Sequence, residues 1–417
     1  MNANSSCTLK RQLPAYAKQL VLFIFLVALA ALPFAEHISN KLLPVAGIIS
    51  CLCVITNPRS YFKKSPALII FISLIALGLL NLVWATIFKG HSTEFTNAYR
   101  GPMEFGKVAL FSSFVFLALL TDHQDEERKV SKIWFINTAL FSQLLFFGFG
   151  AWQYFFLHME RVEFATKFAT TASYIFMFST IFTAILILKI DGKYRNLLFV
   201  LNLFIGLSTV LMTGTRGAIL VLPVLYVFII ILHCVLTKKI DYKLIAFSVI
   251  VFIGTSLAFK NVIETRTNNL HQDMSNYSQN DSDSSVGARL AMYESGLRTY
   301  AFWGQSLETR SEKIHALAKE EPRLDGALIY LNAHLHNDII ETLSTRGVPG
   351  VLLIIFFYLA FAYYAVAVLK DYYLLILLAA PAVLSLSDVI LFSKIGPTAL
   401  MVVLLLMCVY SKNRMIK

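Results

Sequence analysis

Long apolar runs recur along almost the whole chain, and short polar segments separate them. Twelve of these runs are long enough to cross roughly 30 Å of hydrocarbon as α-helices. They lie near residues 19–35, 42–57, 66–88, 107–121, 133–157, 170–188, 196–212, 218–236, 244–259, 351–369, 372–392 and 396–410. The first run follows the basic stretch LKRQLPAYAK, but no small-residue cleavage site comes after it, so we expect a retained helix. The pattern predicts an all-α polytopic membrane protein.

The polar segment at residues 260–350 is the main interruption of this pattern. Its first part, TNNLHQDMSNYSQNDSDSS, has the composition of a mobile segment, whereas VGARLAMYESGLRTYAFWG has apolar residues at helical spacing. The remainder predicts two or three short helices that break near Pro322 and Gly326. A loop of this length is expected to form a helical cap with a function. The chain thus divides into 1–259 with nine spans, the loop, and 351–417 with three spans and a tail.

Composition and charge agree with this class of protein. Hydrophobic residues make up 57% of the 417 positions and charged residues only 15%, against about 25% in soluble domains. With the N-terminus in the cytoplasm, 19 of the 36 basic and 7 of the 25 acidic residues face inward, which gives +12 inside and −1 elsewhere. This is the positive-inside pattern, so the net charge of +11 does not indicate nucleic-acid binding. Both termini are then cytoplasmic, and the loop lies outside the cytoplasm.

The stretch AHLHNDIIETLSTRGVPG, at 333–350, concentrates titratable residues in an otherwise apolar sequence. If 334–346 is a helix, His336 shares a face with Ile339 and Ile340 and points toward the bundle. A histidine in that position could exchange protons at neutral pH. The alternative is a half-buried histidine that hydrogen-bonds to a loop carbonyl.

The end of the same stretch carries two backbone signals. Gly347 suits a left-handed cap at the C-terminus of the helix, and Pro349 would stop the helix two residues later. The carboxylates of Asp338 and Glu341 fall on other faces than His336. The sequence therefore predicts a short capped helix at the end of the loop.

Two arginines are candidates for anion binding. LMTGTRGAIL places Arg216 in a short outer turn beside Thr215 and Gly217, where close backbone approach and hydroxyl donors suit a phosphate. Arg289 lies near the start of a predicted helix, where the dipole and free N–H groups also favour an anion. The alternatives are an arginine that snorkels at the membrane boundary for Arg216 and a solvated helix charge for Arg289.

These residues carry a resemblance to a known family. His336 and Asn337, followed after nine residues by Gly347 and Gly350, resemble the H-N-x9-G-x-x-G pattern of the O-antigen ligase family. Three stretches resemble the enterobacterial ligases in particular: TRG at 215–217, GARLAMYESGL at 287–297 and HLHNDIIE at 334–341. The wider superfamily also contains O-antigen polymerases and protein O-glycosylating ligases. The length, the twelve spans and the large late loop agree with the family over the whole chain.

The resemblance implies a glycosyltransferase with a GT-C-like architecture in the bacterial inner membrane. Its donor would be an O-antigen glycan on undecaprenyl pyrophosphate, and its acceptor a sugar hydroxyl of lipid A-core at the periplasmic face. His336 would be the general base, and Arg216 and Arg289 would bind the pyrophosphate in an inverting displacement. Supporting positions of the motifs would be Thr215, Gly217, His334, Asn337, Gly347 and Gly350. No cofactor is implied, and the loop has no Asp/Glu cluster at ligand spacing that would predict a Mg²⁺ site.

Two other classes stay open on the sequence. An O-antigen polymerase would share this chemistry but use a second lipid-linked glycan as acceptor. A transporter of lipid-linked glycans would place ionisable groups near the bilayer midplane. The predicted spans are almost uncharged, and Asp388, near the outer end of the eleventh, is the exception.

Overall fold

The computed structural model describes residues 3–34, 36–63, 65–90, 94–121, 131–279, 281–393 and 395–415, and no strand occurs among them. The α-helices are α1 (Ala3–Ala31), α2 (Glu36–Thr56), α3 (Pro58–Phe62), α4 (Leu68–Phe88), α5 (Thr96–Leu120), α6 (Lys132–Ala151), α7 (Ala169–Leu188), α8 (Arg195–Thr213), α9 (Arg216–Thr237), α10 (Tyr242–Ala258), α11 (Lys260–Ser278), α12 (Ser285–Arg298), α13 (Leu307–Glu320), α14 (Asp338–Tyr363), α15 (Tyr373–Leu384) and α16 (Gly396–Met415). A 3₁₀-helix covers Pro322–Tyr330, and π-helical turns extend α6 over Trp152–Phe156 and α14 over Tyr364–Val368. The predicted all-α class is confirmed.

The membrane-spanning character of the helices is also confirmed. Within the described ranges, nine helices have the length and hydropathy to cross a bilayer, and α10 makes a tenth when it is taken with α11. The apolar part of α1, Ala15–Ala31, and helix α15 are shorter. Each of the twelve predicted spans overlaps one helix of these three groups.

The eleventh predicted span, 372–392, is wrong at its C-terminal end. Helix α15 ends at Leu384, and the chain continues irregularly to the start of α16. The hydroxyls of Ser385 and Ser387 donate to carbonyl oxygens three residues earlier, which offers the backbone an alternative to a further helical turn. Hydropathy alone does not predict this early end of the helix. Because α15 ends at Leu384, Asp388 lies in a loop and not in a helix. We call residues 385–395 the aspartate loop.

The polar run at 267–285 is mostly helical, although its composition is that of a mobile segment. Residues up to Ser278 belong to α11, which bends by 76° from α10, and Ser285 begins α12. Asn280 lies outside the described residues. The composition of this run correctly indicates that it buries no apolar core, since no residue of α11 is fully buried. Helix α11 contacts the rest of the protein through polar side chains instead, such as the ion pair of Asp273 with Arg216.

The centre of the bundle is formed by α7 and α16. In their spanning windows 94% and 89% of the residues are buried, against 28% for α9. Polar side chains inside the bundle bond between helices: Gln143 on α6 donates to the Ser179 hydroxyl at 2.8 Å and accepts from the Thr180 hydroxyl at 2.7 Å. Such bonds fix helix positions where the hydrophobic effect cannot, because lipid is as apolar as the helix surfaces.

The segment between α11 and α14 forms a cap with its own small core, to which Met292, Ile314 and Leu324 contribute. The cap packs on the C-terminal end of α4 and the N-terminal end of α5. Trp84 donates its indole N–H to the Gln305 carbonyl at 3.0 Å, and the Tyr99 hydroxyl donates to Glu308 at 2.6 Å. We call this end of the bundle the loop end.

The sidedness inferred from charge stays a prediction. Some of the charged positions counted for it lie outside the described residues: Lys64, Asp122, Asp125, Glu126, Glu127, Arg128, Lys129 and Lys417. At the end opposite the loop end, Lys189 forms a buried ion pair with Asp371, to which the Ser411 hydroxyl also bonds.

Candidate active site

His336 is the last loop residue but one before α14, which corrects the prediction of a helix over 334–346. Helix α14 begins at Asp338, and Asn337 caps it by accepting from the backbone N–H of Ile339 and Ile340 at 2.9 and 3.0 Å. Asparagine is a favoured N-cap because its side-chain oxygen satisfies the free donors of the first turn. His336 has a left-handed backbone (φ 49°), so it does not share a helix face with Ile339 and Ile340.

The imidazole of His336 is paired with a carboxylate from another part of the chain. Its Nδ1 lies 3.0 Å from Oδ1 of Asp388 in the aspartate loop. The carboxylate also accepts from the Tyr174 hydroxyl at 3.1 Å and from the backbone N–H of Val389 at 2.8 Å. With Nδ1 protonated toward the carboxylate, Nε2 is the nitrogen with a lone pair. The pair thus has the arrangement of a base held by an acid.

Burial and hydrogen bonding act in opposite directions on Asp388. Burial favours the neutral acid, but the hydrogen bond from His336 and the nearby imidazole charges outweigh it and hold the pKa of Asp388 below its usual range. The carboxylate is therefore ionised at neutral pH and orients His336 as a charged acceptor. The side chain of His336 is 19% exposed, so its ring has access to a substrate.

The segment around His336 is attached to the aspartate loop by several hydrogen bonds. Asn337 donates its amide to the Leu386 carbonyl at 3.1 Å. The Asp338 carboxylate accepts from the backbone N–H groups of Ile390 and Leu391, at 3.1 and 3.0 Å in the shorter contacts. The Tyr293 hydroxyl lies within 3.0 Å of the carbonyl oxygens of both Leu386 and His336, and burial raises its pKa to about 12. These contacts fix the distance between the imidazole and Asp388.

His334 lies against the same imidazole. The two rings are 4.4 Å apart between centroids, in an edge-to-face arrangement, and the backbone N–H of His336 donates to Nδ1 of His334 at 3.4 Å. Burial lowers the pKa of His334, which favours the neutral ring. His334 thus packs against the His336 ring as a neutral imidazole.

Gly347 has a conformation that other residues rarely adopt. Its φ of 69° confirms the predicted positive value, but its ψ of −166° differs from a left-handed cap. A Cβ here would collide with the Phe302 carbonyl oxygen and would lie 2.6 Å from the Gly304 nitrogen. The expected stop at Pro349 is wrong: the chain bends at Gly347 and continues as helix, with the proline in the first turn after the bend. At Gly350 a Cβ would lie 2.6 Å from Thr342, so the motif glycines permit close packing at the bend.

Arg216 is the first residue of α9, after a left-handed Gly214 that ends α8 and an N-cap at Thr215. Its guanidinium forms an ion pair with Asp273 of α11 at 2.8 Å. A Cβ at Gly217 would lie 3.4 Å from the Ser387 hydroxyl of the aspartate loop. The turn predicted as a phosphate site therefore adjoins the loop that carries Asp388.

Arg289 lies in the second turn of α12, whose N-cap Ser284 accepts from the Gly287 N–H at 3.1 Å. It is half-buried and, among the described residues, has no hydrogen bond or ion pair. Its charge acts on Tyr174 and Tyr293, the two tyrosines that contact Asp388 and the His336 carbonyl. Three sites predicted from separate segments, His336, Arg216 and Arg289, thus converge on one side of the loop end.

The structure adds residues that the sequence reasoning missed. Arg161, in the loop after α6, donates to the Thr213 carbonyl at 3.0 Å and lies 3.3 Å from the Thr215 hydroxyl. Asp388 stands out in the sequence as the exceptional charge of a predicted span, but the sequence does not indicate its partner. The signal that Arg161 and Asp388 share is a charge near the end of an apolar run, at the border of the loop end.

One cluster of described residues could hold a metal ion. His334, His336 and Asp388 each offer a ligand atom, and these atoms lie within 4.8 Å of one another. In the present arrangement the Asp388 oxygens accept three hydrogen bonds, one of them from His336. The donors fit a proton-transfer pair, and the absence of a metal requirement stays a prediction.

Comparisons with known proteins agree with the motifs. A family model described as O-antigen ligase matches residues 201–355, which include Arg216, Arg289 and His336. An O-antigen ligase of Escherichia coli (strain K12) is 30% identical over 382 residues, which are 91% of this chain and 90% of that protein. The chain belongs to the O-antigen ligase family. An uncharacterised protein of Haemophilus influenzae (strain ATCC 51907 / DSM 11121 / KW20 / Rd) is 26% identical over 214 residues, about half of each chain.

The region matched by the O-antigen ligase model ends before the aspartate loop. The His336–Asp388 pair therefore joins the matched region to a segment beyond it. Because the similarity to the E. coli ligase extends over most of both chains, the family assignment does not depend on the motif region alone.

Proposed function

We propose that the protein is a ligase that transfers an O-antigen glycan from undecaprenyl pyrophosphate to a sugar hydroxyl of lipid A-core. The observation that carries this proposal is the pairing of His336 with a buried, ionised Asp388 beside the turn of Arg216. Membership of the O-antigen ligase family supports the general activity. The identity of the donor, the acceptor and the reacting residues belongs to the proposal.

His336 acts as the general base. Its Nε2 takes the proton of the acceptor hydroxyl while the hydroxyl oxygen attacks the anomeric carbon of the donor sugar. Asp388 keeps the imidazole in the required tautomer and stabilises the imidazolium that forms. General-base catalysis of this kind contributes typically about 10² to 10⁴ in rate. A single displacement at the anomeric carbon inverts its configuration.

Arg216 and Arg289 stabilise the leaving group. As the bond between the anomeric carbon and the phosphate oxygen breaks, the electron pair goes to undecaprenyl pyrophosphate, and negative charge develops there. Arginine remains protonated and can bind two phosphate oxygens at once, so it suits this role better than lysine. The hydrogen bonds of Asn337 and Asp338 hold the His336 segment against the aspartate loop, which agrees with a preorganised site.

We place the reaction at the periplasmic face of the inner membrane. This follows from the positive-inside charge balance, under which the loop end lies outside the cytoplasm. The partners are then the lipid-linked donor, the lipid A-core acceptor and the surrounding lipids. Transport is less well supported, because the exceptional charge at Asp388 is occupied by hydrogen bonds to His336 and Tyr174.

The test is lipopolysaccharide analysis in a strain that lacks the gene and receives it back on a plasmid. Loss of the O-antigen ladder with accumulation of lipid-linked polymer supports a ligase, whereas a band with a single repeat unit indicates a polymerase. His336→Ala should give the deletion phenotype at normal protein levels. His315→Ala, which changes an exposed histidine of α13, is the matched control and should restore the ladder. A full ladder with His336→Ala would rule out the base assignment.

A further inference from the structure

Helix α11 turns a face of mixed polarity toward the protein. Its half-buried residues recur every three to four positions, as on one side of a helix, and none of its residues is fully buried. They are Val262, Ile263, Arg266, Asn269, Leu270, Asp273, Asn276 and Tyr277. The inward face of a surface helix is normally apolar. Here charged and amide side chains interrupt that face, which suits contact with a hydrophilic ligand.

The two charges on this face lie over the turn between α8 and α9. A Cβ at Gly214 would lie 2.7 Å from a guanidinium nitrogen of Arg266. About two turns further along α11, Asp273 forms its 2.8 Å ion pair with Arg216. Helix α11 therefore contacts the proposed pyrophosphate site with one cation and one anion.

Positive charge is in excess around this turn. Arg161 bonds to Thr213 and Thr215, and its pKa is lowered by burial and by the charges of Arg266 and Arg216. The charge of Glu163 acts on Arg161 in the opposite direction, so three guanidinium groups face two carboxylates around this turn, and Asp273 pairs with Arg216. Such crowding of like charges is unfavourable in the empty site and becomes favourable when an anion binds between them.

The contact of α11 with the turn is also one that can open. The side chains of Arg216 and Asp273 are 24% and 15% exposed, so the ion pair is partly solvated and stabilises the closed position only weakly. The 76° bend between α10 and α11 leaves α11 outside the bundle, without a buried anchor residue. A dianionic ligand that competes for Arg216 would be sufficient to displace Asp273.

We propose that α11 is a donor-responsive arm of the pyrophosphate site: Arg266 binds the diphosphate, and Asp273 occupies Arg216 until the diphosphate replaces it. This inference rests on the proposed function, because it assumes that Arg216 binds the donor. It assigns the two charges opposite effects on affinity. Removal of Asp273 strengthens diphosphate binding, and removal of Arg266 weakens it.

The experiment measures binding of undecaprenyl pyrophosphate to the full-length protein purified in nanodiscs. Asp273→Asn should lower the Kd about two- to fivefold, the amount expected for a partly exposed ion pair. Arg266→Gln should raise the Kd about tenfold, as for the loss of a hydrogen bond to a charged group. Undecaprenyl monophosphate should show a smaller difference between the variants, because it offers fewer anionic oxygens.

The matched controls are Glu264→Gln and Lys260→Gln, which remove an acid and a base from the exposed face of α11. Both should bind like the wild type. If Glu264→Gln tightens binding as much as Asp273→Asn does, the effect is general electrostatics and the displacement is refuted. If Arg266→Gln binds like Lys260→Gln, Arg266 is not a diphosphate ligand.

A further variant separates the two proposals. Arg216→Ala should bind the diphosphate weakly whether or not α11 takes part. If it does so while the α11 variants match their controls, the inference about α11 fails and the proposed function remains. If Arg216→Ala binds as tightly as the wild type, the assumption about the donor site is wrong as well.

Discussion

The substitution Asp388→Asn tests the proton-transfer pair most directly. Asparagine has nearly the same shape as aspartate, and its oxygen can still accept from Nδ1 of His336 at the present 3.0 Å. The change therefore removes the negative charge while retaining an acceptor. Any loss of activity then reports the value of the charge rather than the loss of a contact.

The expected magnitude follows from the difference between two kinds of hydrogen bond. A bond to a charged group contributes about 1.5–3 kcal/mol and a neutral bond about 0.5–1.5 kcal/mol. The variant should therefore lose about 1–2 kcal/mol of stabilisation for the imidazolium that forms in the transition state. This corresponds to a decrease in kcat of about five- to thirtyfold. Donor KM should change little, because Asp388 is not assigned to the pyrophosphate.

The assay is transfer of glycan to lipid A-core with purified protein at saturating donor. Tyr174→Phe is the control, because it removes the 3.1 Å bond to the other carboxylate oxygen and leaves the charge and the bond to His336. Its effect should be smaller than that of Asp388→Asn. Full kcat for Asp388→Asn, or an effect confined to KM, would refute the claim that the carboxylate stabilises a charged imidazole.

The pH dependence of stability gives a second measurement on the same variant. Because the pKa of Asp388 is held below its usual value of about 3.9, folding is stabilised by the ionised carboxylate above that pH. This contribution is lost as the pH falls through the lower pKa of the folded protein. The difference in Tm between the wild type and Asp388→Asn should thus be larger at pH 6 than at pH 3. An equal difference at both pH values would contradict the assignment.

Four further predictions concern other parts of the site. Asp338→Ala, which removes the acceptor for two backbone N–H groups of the aspartate loop, should lower kcat in the transfer assay at least tenfold; an unchanged kcat would mean that the loop keeps its position without it. Gly347→Ala should prevent accumulation of folded protein in membranes, whereas Gly148→Ala, with open space around the new methyl group, should accumulate normally. Arg216→Lys and Arg289→Lys should each lose at least about tenfold in ligation rate, and wild-type activity of both variants would show that positive charge alone suffices. Transfer should survive EDTA, and strict dependence on a divalent ion would favour the metal cluster instead.

The fold could be predicted from the sequence because lipid imposes a simple constraint. A chain that crosses a bilayer must satisfy its backbone within each segment, so apolar runs such as 170–188 appear directly as helices. The exceptions are places where polar contacts decide the backbone. At Ser385 the hydrogen bond of the side-chain hydroxyl to a nearby carbonyl accompanies the end of α15. At Asn337 the side-chain cap makes α14 begin at Asp338, so His336 precedes the helix instead of lying within it. Hydropathy and periodicity do not contain that information.

The candidate site was only partly predictable, for a related reason. His336, Arg216 and Arg289 are found by residue type within motifs, and their convergence at the loop end follows from the packing of the cap on the bundle. The partnership of His336 with Asp388 joins positions 52 residues apart through a loop that the apolar pattern conceals. Long-range side-chain pairs of this kind depend on tertiary packing, which a single sequence does not specify.

The titratable residues around His336 divide into those that can react and those that hold the backbone. Glu341 is 3% exposed, accepts from Arg310 at 2.7 Å and from the Leu335 N–H at 2.9 Å, and so fixes the chain just before His336. Arg346 is 1% exposed and stacks 4.0 Å from the Phe392 ring of the aspartate loop. A buried charge that loses its partner is strongly destabilising, so removal of one partner is expected to lower the free energy of unfolding by about 3–5 kcal/mol. The concentration of charge in this stretch is therefore explained mostly by the need to hold two loops together. Within the His336–Asp388 pair, His336 is the partner whose ring stays accessible for chemistry.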